Sequence, residues 1–177
     1  MKRHMPRHAV EQPLDPSYRI IALSQGKDAL VSTRHYEKLI QWNWSAEIDR
    51  KGRTFYAVRR QIINGKSTRI LMHRFILNDY TSPHIDHQNG NGLDNRDGNI
   101  RAATISQNGA NCPKRSHNTT GYKGVVRHGK KFISSITVMG RKIRSSPFLT
   151  AEEAAQDYDK QALRYFEEFA QLNFPSV

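Results

Sequence analysis

The sequence predicts an α+β protein of three small units in series, and three observations predict it. A β-rich N-terminal stretch carries one sharp hairpin signal, Asn64-Gly65. A polar, Gly- and Asn-rich segment then lies between two short strands and runs into a capped helix. Last, three strands precede one long helix whose apolar residues recur at helical spacing. The expected boundaries are a flexible basic tail over 1–16, a β-rich unit over 17–71, a ββα unit over 72–112, a linker over 113–120 and a sheet-on-helix unit over 121–175.

Composition narrows the partner. A chain of 177 residues buries one good core or two or three small ones. Its net charge of +12 and pI of about 10.1 favour a polyanion, either nucleic acid or an anionic membrane. No apolar run approaches the roughly 20 residues that span a bilayer, and the start, Met1-Lys2-Arg3-His4-Met5-Pro6, lacks an apolar signal core, so no membrane partner is expected. Cys112 is the only cysteine. It rules out an intramolecular disulfide and any multi-cysteine zinc site, so no structural zinc is expected and a reducing, cytoplasmic compartment fits.

In order, Tyr18 to Leu23 and Ala29 to Val31 read as strands, and Thr33 opens a short helix with Tyr36, Leu39 and Ile40 on its apolar face. Trp42 and Trp44 read as core aromatics. Strands follow over Trp44 to Ile48, Thr54 to Ile63 and Ser67 to Leu71, decorated by Arg53, Arg59, Arg60, Lys66 and Arg69, which are either a phosphate-facing surface or a solubilising one. Met72 to Leu77 reads as a short helix, with His73 assigned to packing or capping.

The segment from His84 to Asn108 carries the chemistry. Short strands are expected at His84 to His87 and at Asn99 to Arg101, and Thr104 with Gln107 forms a capping box that starts a helix near Ile105. Asp86 is a hard oxygen donor and Asn108 offers a neutral one; one carboxylate plus one amide suits a weakly held divalent cation, Mg²⁺ or Mn²⁺, that keeps sites for water and phosphate. His87, with an unperturbed pKa of about 6.5, suits a general base, and Asn99 a group that orients it. Metal-assisted phosphodiester hydrolysis is the reaction class these residues suggest. Arg96 and Arg101 stand as phosphate contacts or as plain surface residues. One difficulty is geometric: neighbours in a regular strand point to opposite faces, so Asp86 and His87 share a site only at a bulge, a strong twist or a strand end.

These residues resemble the His-Asn-His (HNH) endonuclease motif, in the homing-type subgroup whose last position is Asn. The resemblance implies a ββα-metal fold in which Asp86 and Asn108 ligate the metal, His87 is the general base and Asn99 its positioner.

After Asn108 the texture changes. Between Asn111 and Thr150 there are nine Lys and Arg and no acidic residue. Strands are expected at Tyr122 to Arg127, Phe132 to Val138 and Arg141 to Arg144. Alternation puts Phe132, Ser134, Ile136 and Val138 on one face and Ile133, Ser135 and Thr137 on the other. Thr150 and Glu153 cap a helix of about twenty residues. Gly121-Tyr122-Lys123-Gly124-Val125, Gly140-Arg141, Phe148, Thr150-Ala151-Glu152-Glu153-Ala154-Ala155, Tyr158-Asp159 and Leu172-Asn173-Phe174-Pro175 resemble the AP2/ERF DNA-binding domain over about sixty residues. That resemblance implies a face toward double-stranded DNA formed by Lys123, Arg127, Lys131, Ser135, Thr137, Lys142 and Arg144. Val126 stands where plant members often carry Arg, and Arg144 where they often carry Trp, so phosphate contacts are expected to supply more of the affinity than base reading. Together the two resemblances imply a metal-dependent, homing-type DNA endonuclease of phages and bacteria, monomer or dimer; the competing expectation is a non-catalytic DNA-binding regulator.

Overall fold

The computed structural model describes residues 8–50 and 52–175, so residues 1–7 of the expected tail lie outside it. The fold is mixed α+β, with several small sheets, and it divides into two compact units between Ala102 and Ala103. Among the described residues no helix is long and apolar enough to cross a membrane.

The first unit opens on an antiparallel pair, β1 (Tyr18–Ala22) and β2 (Asp28–Ser32). The part of the tail that precedes it is anchored: Gln12 exchanges two side-chain hydrogen bonds with the backbone of Ile20, and His8 meets Asp28 at 2.7 Å. After α1 (Thr33–Ile40), strands β3 (Ser45–Ile48), β4 (Phe55–Ile63) and β5 (Lys66–Leu71) form an antiparallel sheet. The β4–β5 turn places both Asn64 and Gly65 at positive φ, the conformation an Asn-Gly hairpin favours. Helix α2 (Met72–Leu77) closes with Asn78 in the left-handed region.

Two short strands, β6 (His84–His87) and β8 (Ile100–Ala103), then pair with each other. Between them β7 (Asp94–Asn95) leaves for another sheet, pairing in parallel with β2 through Leu30 to Asp94 and Val31 to Asn95. Leu93, next to it, packs with Phe75 and Ile76 on the core of Leu23, Val31, Leu39, Trp44 and Met72. The N-terminal strands and the polar segment after α2 therefore rest on one core rather than two. Arg59, expected on the sheet surface, is buried instead. Its guanidinium lies 4.0 Å from the Trp42 ring centre and 5.1 Å from that of Phe75, and it donates to Gln61 Oε1 at 2.8 Å.

The second unit contains α3 (Ile105–Asn111), the antiparallel sheet β9 (Val125–His128), β10 (Lys131–Val138), β11 (Arg141–Arg144), and α4 (Ala151–Phe166). Both expected capping boxes form, Thr104 with Gln107 and Thr150 with Glu153. Ala154, Ala155 and Ala162 give α4 a small-residue face that lets it sit close to β10, and a Cβ at Gly124 would strike the Tyr158 ring. The α-helix stops at Phe166, short of the expected twenty residues: Glu167 takes a positive φ and one 3-10 turn, Glu167–Phe169, finishes it. Buried Asp159 then fastens the C-terminal segment, accepting from the backbone N–H of Asn173 at 2.9 Å and of Phe174 at 2.8 Å. Helix α3 belongs to this unit. Ala103 and Ala110 share a core with Ile136, Tyr158, Phe166 and Phe169, so α3 does not stand apart across a linker.

Trp44 is fully buried and donates from Nε1 to the Leu39 carbonyl at 2.9 Å. Replacing it by Ala removes the largest side chain of the first core and is expected to cost about 3–5 kcal/mol, read as a lower urea midpoint. A loss under about 1 kcal/mol would show that this core does not hold the first unit.

Candidate active site

The loop between β6 and β8 is held almost wholly by polar contacts. Asn89 Oδ1 accepts from the Asn91 N–H at 2.9 Å, and Asn91 Oδ1 from the Leu93 N–H at 3.1 Å, so each Asn templates the turn that follows it. Asn99 braces the loop across its mouth: Nδ2 donates to the Asp94 carbonyl at 2.7 Å and Oδ1 accepts from the Asn89 N–H at 3.0 Å. Asp97 bonds His35 at 2.7 Å and Arg34 at 2.8 Å on α1. Gly92 donates to Thr54 Oγ1 at 3.1 Å, and a Cβ there would meet the Phe55 carbonyl and the Tyr56 ring.

Asp86 and His87 come at the end of β6, and both are buried, at 3% and 6% exposure. Adjacency in a strand does not send one of them to solvent. Arg101 donates from Nε to Asp86 Oδ2 at 3.1 Å, and its second nitrogen reaches the same oxygen at 3.1 Å. Arg96 forks onto Asp94, with Nε to Oδ1 at 2.8 Å and a terminal nitrogen to Oδ2 at 2.7 Å. The two arginines expected at phosphates thus each hold a carboxylate of the protein. Burial opposes the charge on Asp94, but the Arg96 fork and the Asn89 amide outweigh it and hold its pKa below the usual range.

Burial also holds the His87 imidazole below its ordinary pKa, against a hydrogen bond with Asn95 and the charges of Asp86 and Asp94. The amide that meets the imidazole is therefore Asn95, from β7. Asn99, expected in that role, braces the loop backbone instead. Asn108 lies on α3, half-buried, in the second unit, whereas Asp86, His87 and Asn99 belong to the first. The Asp86 carboxylate and the Asn108 amide each carry a hard oxygen, the donor type that Mg²⁺ or Mn²⁺ prefers. Asp86 already has a cationic partner in Arg101. Among the described residues no three His, Cys, Asp or Glu cluster as a metal site.

Strand register sorts the residues assigned to DNA. Ser135 faces Arg144 across the β10–β11 pair and Thr137 faces Lys142, so these four share a face. Lys131, by its alternation, belongs there too, and its partner His128 joins it unforeseen. Arg127 does not. It pairs with Phe132, whose face packs toward α4, and its guanidinium lies 5.1 Å from the centre of that ring. Lys123 precedes the sheet and donates its ammonium to the Ala110 carbonyl near the end of α3; burial brings its pKa down to about 8. No protein-family model, curated protein or solved structure matches the chain.

Beside His87 lies a contact that sequence reasoning missed. The rings of His73 and His87 are 5.1 Å apart at 77°, and Tyr56 lies 5.6 Å from the first and 5.8 Å from the second. Three residues this far apart in sequence leave no spacing signal. Burial, with repulsion from His87, Arg74 and Arg69, pushes the His73 pKa down to about 3. The unfolded chain, at about 6.5, binds a proton that the folded one refuses, so this contribution to stability is complete above that pH and is lost as pH falls toward about 3. Urea titrations over this window are expected to show stability falling with acid, and falling less steeply in His73→Phe. Equal slopes in both proteins would contradict the assignment.

Proposed function

We propose that the chain is a metal-dependent DNA endonuclease of the homing type, hydrolysing a phosphodiester at the His84–Asn108 segment. The observation that carries the reading is that Asp86 and His87 stand side by side at the end of β6, ahead of a loop braced by Asn99, in a strand, loop, strand, capped-helix order. Asp86 and Asn108 are the residues assigned to one divalent cation, Mg²⁺ or Mn²⁺, which when bound supplies Lewis-acid charge at the phosphate. His87 takes a proton from the attacking water. Its lowered pKa keeps the accepting nitrogen unprotonated at neutral pH. Asn95 steadies the imidazole, and Asn99 with Asn89 keeps the loop from collapsing onto it. The double-stranded substrate is gripped by the face of Lys131, Ser135, Thr137, Lys142 and Arg144, largely through phosphates.

A second reading, a DNA-binding regulator without catalysis, is favoured by one observation: the Asp86 carboxylate already has a cationic partner in Arg101. Supercoiled plasmid separates the two. With Mg²⁺ or Mn²⁺ the wild-type chain is expected to nick or cut it, while His87→Ala, Asp86→Ala and Asn108→Ala lose cleavage and keep DNA binding. Cleavage that survives in His87→Ala, or none in the wild type, defeats the enzyme reading.

The grip is tested separately by salt. Lys142→Ala and Arg144→Ala are each expected to reduce the slope of log affinity against log salt by about 1. Arg127→Ala, on the opposite face, is expected to leave it unchanged, and a fall as large as theirs would mean that the register misassigns the DNA face.

A further inference from the structure

We infer that His73 is a positioning residue for His87, a role that rests on the proposed function and extends it to a side chain outside the motif. A general base works only if its accepting nitrogen points at the water; the hydrogen bond with Asn95 holds one side of the His87 ring, and a ring packed edge-on limits the rotation about χ2 that one bond leaves. His73 presents its ring nearly perpendicular to His87, at 5.1 Å, an edge-to-face arrangement that opposes rotation of either ring. Tyr56 from β4 completes a triangle with both, so each imidazole has a ring packed on two sides.

The support behind His73 is itself rigid. Its neighbour Met72 is fully buried in the first core, and Phe75, one turn on, stands edge-on to Trp44 at 5.9 Å. Arg74 donates to the carbonyls of Asp79 at 3.1 Å, Ser82 at 3.0 Å and Pro83 at 3.4 Å, which staples the segment entering β6 back onto α2. One short helix thus carries the buttress ring and sets where the strand bearing His87 begins. His73 is 5% exposed and neutral near pH 7, so it adds no positive charge beside an imidazole that must accept a proton.

The test compares His73→Phe, which keeps a flat ring, with His73→Ala, which removes it, in the full chain. Three measurements are made on each: kcat and KM for plasmid cleavage with Mg²⁺, the melting temperature, and the histidine ring ¹H–¹⁵N spectrum, with the His87 signals assigned through His87→Ala. His73→Ala is expected to lower kcat about a hundredfold at unchanged KM, the scale of a base misplaced by about an ångström. His73→Phe is expected to recover to within about tenfold of wild type. The His87 signals should keep their positions in His73→Phe and shift or broaden in His73→Ala. Should His73→Ala fail to fold, His73→Leu fills the volume without a flat ring and takes its place.

A folded His73→Ala with wild-type kcat overturns the inference, as does a His73→Phe that is as inactive as His73→Ala while the His87 signals stay in place, since His73 would then act through its own nitrogen. If the wild type cleaves nothing, the nuclease reading fails, and the ring spectrum still decides the buttress: His87 signals unmoved in His73→Ala sink it.

Discussion

A loop built mainly from Asn, Gly and Asp has little apolar surface with which to choose one shape. Between His87 and Asn99 the only apolar side chain is Leu93, and it is spent on the neighbouring core. The shape is set instead by the parallel pairing of Asp94 and Asn95 with Leu30 and Val31, which draws two polar residues to 1% and 0% exposure. Polar groups stay in such a place only when partners replace the water they lose. Arg96, Asn89 and Asn99 are those partners for Asp94, and the same bonds position the backbone at both ends of the loop. The N-terminal strands thereby gain a purpose: they are the wall on which the polar segment is hung.

The electrostatics follow from that wall. Charges inside the segment are matched in pairs, Asp86 with Arg101, Asp94 with Arg96, Asp97 with Arg34 and His35, so little of its charge faces outward uncompensated. The exposed Lys131, Lys142 and Arg144, by contrast, have no ion-pair partner within 4 Å among the described residues. Positive charge is neutralised where the protein needs internal order and left without an ion-pair partner at these three exposed side chains among the described residues.

Much of this was legible in the sequence, for identifiable reasons. Periodicity and turn residues report local structure, and Asn64-Gly65, Thr104 with Gln107, and Thr150 with Glu153 each specify a local geometry that formed. Alternation along Phe132 to Val138 likewise separated the two faces of β10. What escaped depends on contacts between distant residues. Strand β7 is two residues long and lies in a run that reads as turn, so no periodicity announces it. Arg127 was assigned to the DNA face by its place in a family pattern, but only the pairing of Phe132 with Arg127 decides its side. Arg59 looked like surface because charge predicts exposure, until the rings of Trp42, from the α1–β3 connection, and Phe75, from α2, packed against it. The partners of His87 came from β4, α2 and β7, none of which the motif spacing could reveal.

Helix α3 is fastened at both ends to its own unit: Ser106 Oγ accepts from the Met139 N–H at 3.2 Å, and the Ala110 carbonyl accepts from the Gln171 N–H at 3.2 Å and from Lys123. The gene segment for the last seventy-odd residues is consequently not a cassette that begins after the helix. Recombination that swapped in a new sheet with its junction near residue 113 would orphan α3, whereas a junction near Ala102 would carry helix and sheet together and inherit their packing intact.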